Sequence, residues 1–203
     1  MAWESLWPEA LAILGQSSSS IFAAAIPMQS WFRKLLELSD FYQSHKVVVL
    51  SWRAGAAAEP AGQIEAVIRP MNLDDMLMVE DIDRAAFGSV WQNTRSCLEL
   101  AYRQAAIATV AEREGELVGY QISTATQMGG HLARLAVKPA YQGNGIGYAL
   151  LNDMLKQFER RGAYNVTVNT QHDNFSSLSL YHKAGFRRTG EEYPVYQFNK
   201  LSS

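Results

Sequence analysis

The chain has 203 residues and a formal net charge of −2, with 48% hydrophobic and 19% charged residues. This balance is typical of a globular protein with a sizeable core, and it argues against nucleic acid or an acidic membrane as a general partner. The single cysteine, Cys97, excludes an internal disulfide, fits a cytoplasmic location and is interpreted as a small buried residue of a helix. No apolar run reaches the roughly 18 residues that span a bilayer, so we expect no membrane segment.

Residues 1–63 are predicted to form an extension, and residues 64–203 a single domain. Within the extension the patterns predict one or two short helices before residue 30, then an amphipathic helix, a strand and a linker, at 29–42, 46–52 and 53–63. The role of the extension stays open between packing on the domain's own core, partner binding and homodimer formation.

The domain shows alternating strand-like and helix-like segments. Asn72, followed by acidic residues, is typical of a helix cap. The elements predicted are, in chain order, a strand (64–69), two helices (72–87 and 94–105), a hairpin (107–113 and 116–125), a strand (131–137), a helix (146–161), a strand (165–171), a helix (174–185) and a closing hairpin (186–198). This order indicates an α/β fold in which a mixed sheet carries helices on both faces.

The stretch 135–147 joins a short apolar strand to an amphipathic helix through a turn with three glycines. Because glycine lacks a Cβ, the backbone can turn tightly there and let a bulky anion approach. The first N–H groups of the helix have no helical acceptor and point into this turn, which outlines a phosphate site. Residues 147–149, Gly-Tyr-Ala, exclude a P-loop, and the G-x-G-x-G spacing excludes a dinucleotide fingerprint. A glycine cap of a core helix is the alternative.

Gln142, Gly145 and Gly147 fit the pattern Gln-x-x-Gly-x-Gly. This pattern resembles the motif with which the GCN5-related N-acetyltransferases grip the diphosphate of acetyl-CoA. The resemblance covers about residues 65–200 and implies a mostly antiparallel sheet and acetyl-CoA as co-substrate; the spacing of the four histidines gives no reason to assign a metal. The residues that it implies for binding acetyl-CoA are Leu135, Ala136, Val137, Gln142, Gly143, Asn144, Gly145, Ile146, Gly147, Asn174 and Ser177.

The family's second signature is Asn, six residues, Tyr, three residues and Gly-Phe, which Asn174, Tyr181, Gly185 and Phe186 match. In enzymes that this chain resembles, the tyrosine at the position of Tyr181 is often the general acid that protonates the departing CoA thiolate. A phenol suits this role because it keeps its proton at neutral pH and can reach a nearby thiolate. We therefore expect Tyr181 to be catalytic, with a core aromatic as the alternative.

The sequence does not identify a general base. The C-terminal half also resembles the ribosomal-protein alanine N-acetyltransferases, which carry a glutamate on the fifth strand where Thr167 stands here. A water relay is one alternative, and the candidate carboxylates are Glu80, Glu112, Asp173 and Glu191.

The resemblance implies an N-acetyltransferase that acetylates a primary amine by direct attack in a ternary complex. The acceptor stays open between a small amine, an aminoglycoside-like molecule and a protein N-terminus. Phe87, Val90 and Trp91 follow the first helix of the domain and are candidates for acceptor contacts or for core packing. The alternative hypothesis is a non-catalytic acyl-CoA-binding module whose N-terminal segment recruits a partner.

Overall fold

The computed structural model describes residues 3–14, 21–56, 64–126 and 129–200. Its helices are α1 (Trp3–Leu14), α2 (Ser30–Glu37), α3 (Met76–Ala86), α4 (Arg95–Arg103), α5 (Ile146–Arg160) and α6 (Phe175–Lys183). Its strands are β1 (Ile21–Ala25), β2 (Tyr42–Arg53), β3 (Val67–Pro70), β4 (Ile107–Arg113), β5 (Glu116–Thr126), β6 (Gly129–Val137), β7 (Asn165–Gln171) and β8 (Arg187–Lys200). Two compact units are present, a smaller one from 1–48 and 191–203 and a larger one from 49–190.

The larger unit contains a mixed, mostly antiparallel sheet with the strand order β2–β7–β6–β5–β4–β3. Neighbouring strands from β3 to β6 pair antiparallel, and Glu114 and Gly115 form the predicted tight turn of the β4–β5 hairpin with φ values of 53° and 81°. Strands β6 and β7 pair in parallel, from Gly130 to Leu132 on β6. Their ladder therefore covers only the first part of β6, and the sheet opens beyond Leu132.

The core shows that helices cover both faces of this sheet. Val110 and Ala111 are neighbours on β4, and side chains of successive strand residues point to opposite faces. Val110 packs in one cluster with residues of α3 and α4, whereas Ala111 packs in another with Ile146 and Leu150 of α5. The predicted fold class, with helices on both faces, is thus confirmed.

The smaller unit includes β1, most of β8 and the first part of β2, up to residue 48, in the strand order β1–β8–β2. Its core is built largely from aromatic residues. Leu36, Phe41 and Tyr196 are buried, and aromatic rings from α1, α2 and β8 pack against them, namely Trp3, Trp7, Phe32 and Phe198. Helix α2 ends at Glu37 and not near residue 42, because Asp40 takes a left-handed φ of 61° and the chain then enters β2.

Three further predictions were wrong. Residues 21–25 form a strand, which the serine-interrupted pattern did not indicate. The closing hairpin is one continuous strand, β8, in which Gly190 takes a φ of 91° without reversing the chain. Cys97 is exposed, because Leu98 beside it on α4 turns to the core instead. The remainder of the predicted linker, 57–63, lies outside the described residues, and no helix within the described ranges could cross a membrane.

Candidate active site

A cavity of about 660 Å³ lies in the larger unit, which is a typical size for a small-molecule site. The end of β6, the glycine turn, the start of α5, one side of α6 and the segment after α3 all contribute to its lining. Every residue assigned above to binding or catalysis lines it, namely Leu135, Ala136, Val137, Gln142, Gly143, Asn144, Gly145, Ile146, Gly147, Asn174, Ser177 and Tyr181.

The glycine turn presents backbone N–H groups to the cavity. Gly143 and Gly145 adopt left-handed φ values of 80° and 76°, which residues with a Cβ rarely take. The side-chain amide of Gln142 donates to the carbonyl of Val137 at 2.9 Å and so ties the turn back to β6. Helix α5 has no side-chain cap at Gly145, and no described residue accepts a hydrogen bond from the N–H groups of Ile146 or Gly147. A helix of 15 residues thus directs the positive end of its dipole into the cavity, as an anion site requires.

The end of β6 offers a second set of backbone donors. The N–H of Lys138 bonds to the carbonyl of Val118 on β5 at 2.8 Å, and in an antiparallel ladder such bonds alternate along the strand. The N–H groups of Leu135 and Val137 therefore point away from β5, toward the edge that β7 leaves open beyond Leu132. Leu135 and Val137 line the cavity together with the glycine turn and residues of α6.

Tyr181 is held by the two ends of α6. The side chain of Asn174 accepts a hydrogen bond from the N–H of Ser177 at 3.1 Å and caps the start of the helix. At the other end Gly185 has a φ of 91°, and the N–H of Phe186 bonds to the carbonyl of Tyr181 at 2.9 Å. The Asn-Tyr-Gly-Phe signature is therefore the cap and the stop of one helix that fixes the tyrosine between them.

Burial raises the pKa of the Tyr181 phenol, because a phenolate there would lose its hydration. Its ring packs against Phe186 with 5.6 Å between ring centroids. Tyr181 is 6% exposed, and its hydroxyl makes no hydrogen bond with another described residue. Tyr181 is thus a protonated donor on the cavity wall whose hydrogen-bonding capacity is left for a ligand.

No carboxylate of the described residues lines the cavity. Thr167 lies on β7, and its hydroxyl is 2.9 Å from Nδ1 of His131, whose pKa is lowered by burial. The candidate bases do not come together: two form ion pairs elsewhere, the third lies 3.7 Å from a ring nitrogen of His172, and the fourth lies on β8 outside the lining. These four are Glu80 (with Arg84), Glu112 (with Arg69), Asp173 (with His172) and Glu191.

The segment after α3 forms another wall of the cavity, which we call the aromatic wall. Phe87 and Trp91 line the cavity, whereas Val90 does not. A buried ion pair below this wall was missed by sequence reasoning: the guanidinium of Arg134 donates to both carboxylate oxygens of Asp83, at 2.7 and 2.9 Å. The available signal was the position of Asp83, which follows Val79 by four residues on the apolar face of α3.

The Asp83 carboxylate is fully buried and accepts two further hydrogen bonds. The hydroxyl of Tyr120 on β5 donates to it, and so does the backbone N–H of Asn93 at 2.8 Å. Burial, and secondly the bond to Asp83, raise the pKa of Tyr120, so this phenol stays protonated and keeps donating. The network therefore satisfies a buried charge with four donors, which is the condition for stable burial of an ion.

Comparisons with known proteins find several similar chains. The chain is 26% identical over 135 residues to a Bacillus subtilis (strain 168) protein named as a candidate ribosomal protein bS18-alanine N-acetyltransferase, a match that covers 66% of this chain and 89% of that protein. A GCN5-related N-acetyltransferase from Sphaerobacter thermophilus superposes with a TM-score of 0.73 at 17% identity; the match covers 97% of this chain and 65% of that chain, so this chain spans less than two thirds of its length.

A third similar protein is the PaiA N-acetyltransferase from Thermoplasma acidophilum, solved in complex with coenzyme A. Its TM-score is 0.57 at 17% identity, and the match covers 68% of this chain and 100% of that chain. The model of the acetyltransferase (GNAT) family matches residues 76–186, a range that includes the glycine turn, the open edge of β6 and Tyr181. This match spans more than half of the sequence and confirms the resemblance: the chain belongs to the acetyltransferase (GNAT) family.

Proposed function

We propose that the protein transfers an acetyl group from acetyl-CoA to a primary amine. One observation carries this proposal: the bare N-terminus of α5, the open end of β6 and Tyr181 all line the same cavity. An anion site, a row of backbone donors and a proton donor thus line one cavity. This is the set of groups that a diphosphate-bearing thioester requires.

Each group has a role in acetyl transfer by direct attack. Acetyl-CoA supplies the thioester, and the N–H groups of Ile146 and Gly147 bind its diphosphate. The N–H groups of Leu135 and Val137 stabilise the oxyanion that develops as the amine nitrogen attacks the carbonyl carbon. The carbon–sulfur bond then breaks, Tyr181 donates its proton to the sulfur, and the amine loses a proton to water.

The lining favours an acceptor that is easily deprotonated. An amine must be neutral to attack, and no described carboxylate lines the cavity to take its proton. A peptide α-amino group has an ordinary pKa of about 8, whereas a lysine side chain has about 10.4, so far more of the α-amine is neutral near pH 7. The name of the Bacillus relative points to the same class of acceptor. We therefore propose a protein or peptide N-terminus as the acceptor.

The test is release of CoA thiol from acetyl-CoA with a panel of matched acceptors. The panel contains a short peptide with a free N-terminal alanine, the same peptide with a blocked N-terminus and one lysine, and an aminoglycoside. We expect turnover with the first peptide and much less with the other two. Binding of CoA by calorimetry without thiol release from any acceptor would contradict catalysis and support the non-catalytic acyl-CoA-binding alternative.

A further inference from the structure

We propose that Arg134 is a positioning residue for the acceptor, which it serves by fixing the wall formed by Phe87 and Trp91 at a set distance from the end of β6. This inference rests on the proposed function, because it assigns this wall to the acceptor amine. It concerns residues outside the glycine turn and α6.

Arg134 makes polar contacts with the aromatic wall, through Trp91, and with Asp83 on α3 beneath it. Besides its two bonds to Asp83, its Nη2 donates to the backbone carbonyl of Trp91 at 2.5 Å. Its guanidinium carbon lies 3.6 Å from the centroid of the Phe87 ring, which is close stacking. One side chain thus holds both aromatic residues of this wall, Phe87 through its ring and Trp91 through its backbone.

The position of Arg134 in the sequence couples this wall to the reacting region. Arg134 directly precedes Leu135 on β6. Its side chain points to the sheet face that α3 covers, where it bonds to Asp83, whereas the backbone N–H of Leu135 points to the open edge of β6. Asp83 anchors the same guanidinium from α3, and its bond to the N–H of Asn93 holds the far end of the segment. A shift of the guanidinium would therefore move the aromatic wall relative to the backbone donors of β6.

The wall also indicates the kind of group that lies beside the reacting amine. Its cavity-lining members between residues 86 and 91 are Ala86, Phe87, Gly88 and Trp91, none of which carries a charged side chain. Arg134 and Asp83 behind this wall are paired with each other, and their side chains are 15% and 0% exposed. We therefore expect an uncharged, apolar side chain next to the acceptor amine.

The test compares Arg134→Lys with a matched control, Arg69→Lys. Lysine keeps the charge but loses the planar fork that makes two bonds and stacks on a ring. Arg69 also bonds both oxygens of an aspartate, Asp75, at 2.9 and 2.9 Å, but it is not among the residues that line the cavity. Initial rates are measured with the amine and acetyl-CoA varied in turn, and CoA affinity is measured by calorimetry.

We expect Arg134→Lys to lower kcat/KM for the amine by at least about tenfold, because displaced positioning groups have effects of this size. The affinity for CoA and the behaviour of Arg69→Lys should remain near wild type. Three results would overturn the inference: an equal fall in kcat/KM for both substrates, an unchanged KM for the amine, or a fall in kcat/KM for the amine in Arg69→Lys as well.

A second variant keeps the test decisive if Arg134→Lys does not fold. Gln92 is exposed and its side-chain amide donates to the carbonyls of Arg84 and Phe87, at 3.0 and 2.9 Å, so Gln92→Ala loosens the same wall from outside. It should raise the KM for the amine while leaving CoA affinity unchanged, and an unchanged KM would overturn the inference.

Hydrogen exchange at the amides of residues 87–93 measures how firmly the aromatic wall is held, and it does not depend on catalytic turnover. Exchange there should accelerate in Arg134→Lys, or in Gln92→Ala if the lysine variant does not fold, and not in Arg69→Lys. If the wild type acetylates no amine, the proposed function fails, while unchanged exchange in the variant would overturn this inference separately.

Discussion

The two walls of the cavity are built in different ways. The glycine turn and the start of α5 use backbone groups from one continuous stretch, 135–147, and no side chain caps the helix. The aromatic wall depends on side chains that are far apart in sequence, since Asp83 contacts Tyr120 and Arg134 across 37 and 51 residues. The first wall can be recognised from sequence because its chemistry is local, whereas the second exists only once the sheet and α3 have packed together.

The largest expected effect is a loss of stability when the ion pair behind the aromatic wall is broken. Asp83→Asn leaves the charge of Arg134 without its buried partner, and breaking a buried ion pair on one side costs about 3–5 kcal/mol. We expect the free energy of unfolding, measured by urea denaturation, to fall by this amount.

The matched control for Asp83→Asn is Asp81→Asn, on the same helix. The side chain of Asp81 is 58% exposed and forms a surface ion pair with Arg84 at 3.6 Å, so its loss should be close to undetectable. If the two variants lost similar stability, the Asp83 pair would be no more than a surface ion pair in its effect.

The next effect concerns the chemistry between the walls. Tyr181→Phe keeps the ring and its packing on Phe186 but removes the proposed proton donor. Loss of a positioned general acid costs on the order of 100-fold in rate, so kcat should fall by that factor while CoA affinity stays within a few-fold. Steady-state kinetics and calorimetry on one preparation measure both. Near wild-type turnover would mean that Tyr181 only packs in the wall.

A smaller effect tests the first wall. Gly145→Val places a branched side chain at a left-handed φ of 76°, where the new Cβ would lie 3.4 Å from Ile64 and beside the N–H groups of α5. We expect CoA affinity to fall about tenfold, which is roughly 1.4 kcal/mol.

Gly162→Val controls for backbone strain at the other end of α5. Gly162 has a φ of 80° and open space around a Cβ, but it does not line the cavity. It should lose stability like Gly145→Val and keep its CoA affinity. Equal affinity in all three proteins would make the glycine turn a helix cap without a binding role.

The smallest effect is a pH dependence at the start of α3. The hydrogen bonds from Arg69 hold the pKa of Asp75 below its ordinary value, and the N–H of Asn72 acts in the same direction against the effect of burial. A lowered folded-state pKa stabilises the protein above the unfolded value of about 4, and this contribution is lost as the pH falls toward the folded value. The stability gap between wild type and Asp75→Asn in urea should therefore narrow from about pH 7 to about pH 3. A constant gap would contradict the ionised pair.

Much of the fold could be predicted because its patterns are periodic. The strand alternation of residues 107–125 and the helical spacing of 146–160 come from single elements, and the structure shows both. The wrong predictions concern elements whose end or type depends on one residue's backbone conformation or on a partner distant in sequence. Asp40 ends α2 by taking a left-handed φ, and the segment 21–25 becomes a strand by pairing with β8, which no local pattern signals.

The candidate site divides in the same way. The residues of the glycine turn and the Asn174–Tyr181 helix could be named from sequence, because each motif is the start or the end of one helix. Arg134 could not be named, since a lone arginine in a strand reads as a surface charge until Asp83 is placed opposite it. Phe87 and Trp91 were named without being distinguishable from core, and only the cavity separates them from Val90.

The central claim is that the glycine-turn wall serves acetyl-CoA and the aromatic wall serves the amine. The most direct test measures both substrates in variants of both walls. Michaelis constants for acetyl-CoA and for the best peptide amine are determined in the wild type, Gly145→Val and Arg134→Lys. Gly145→Val should raise only the constant for acetyl-CoA, because Gly145 lies in the proposed diphosphate site. Arg134→Lys should raise only the constant for the amine, because Arg134 supports the aromatic wall. If both variants raised both constants to a similar degree, the cavity would act as one undivided site, and the account would be contradicted.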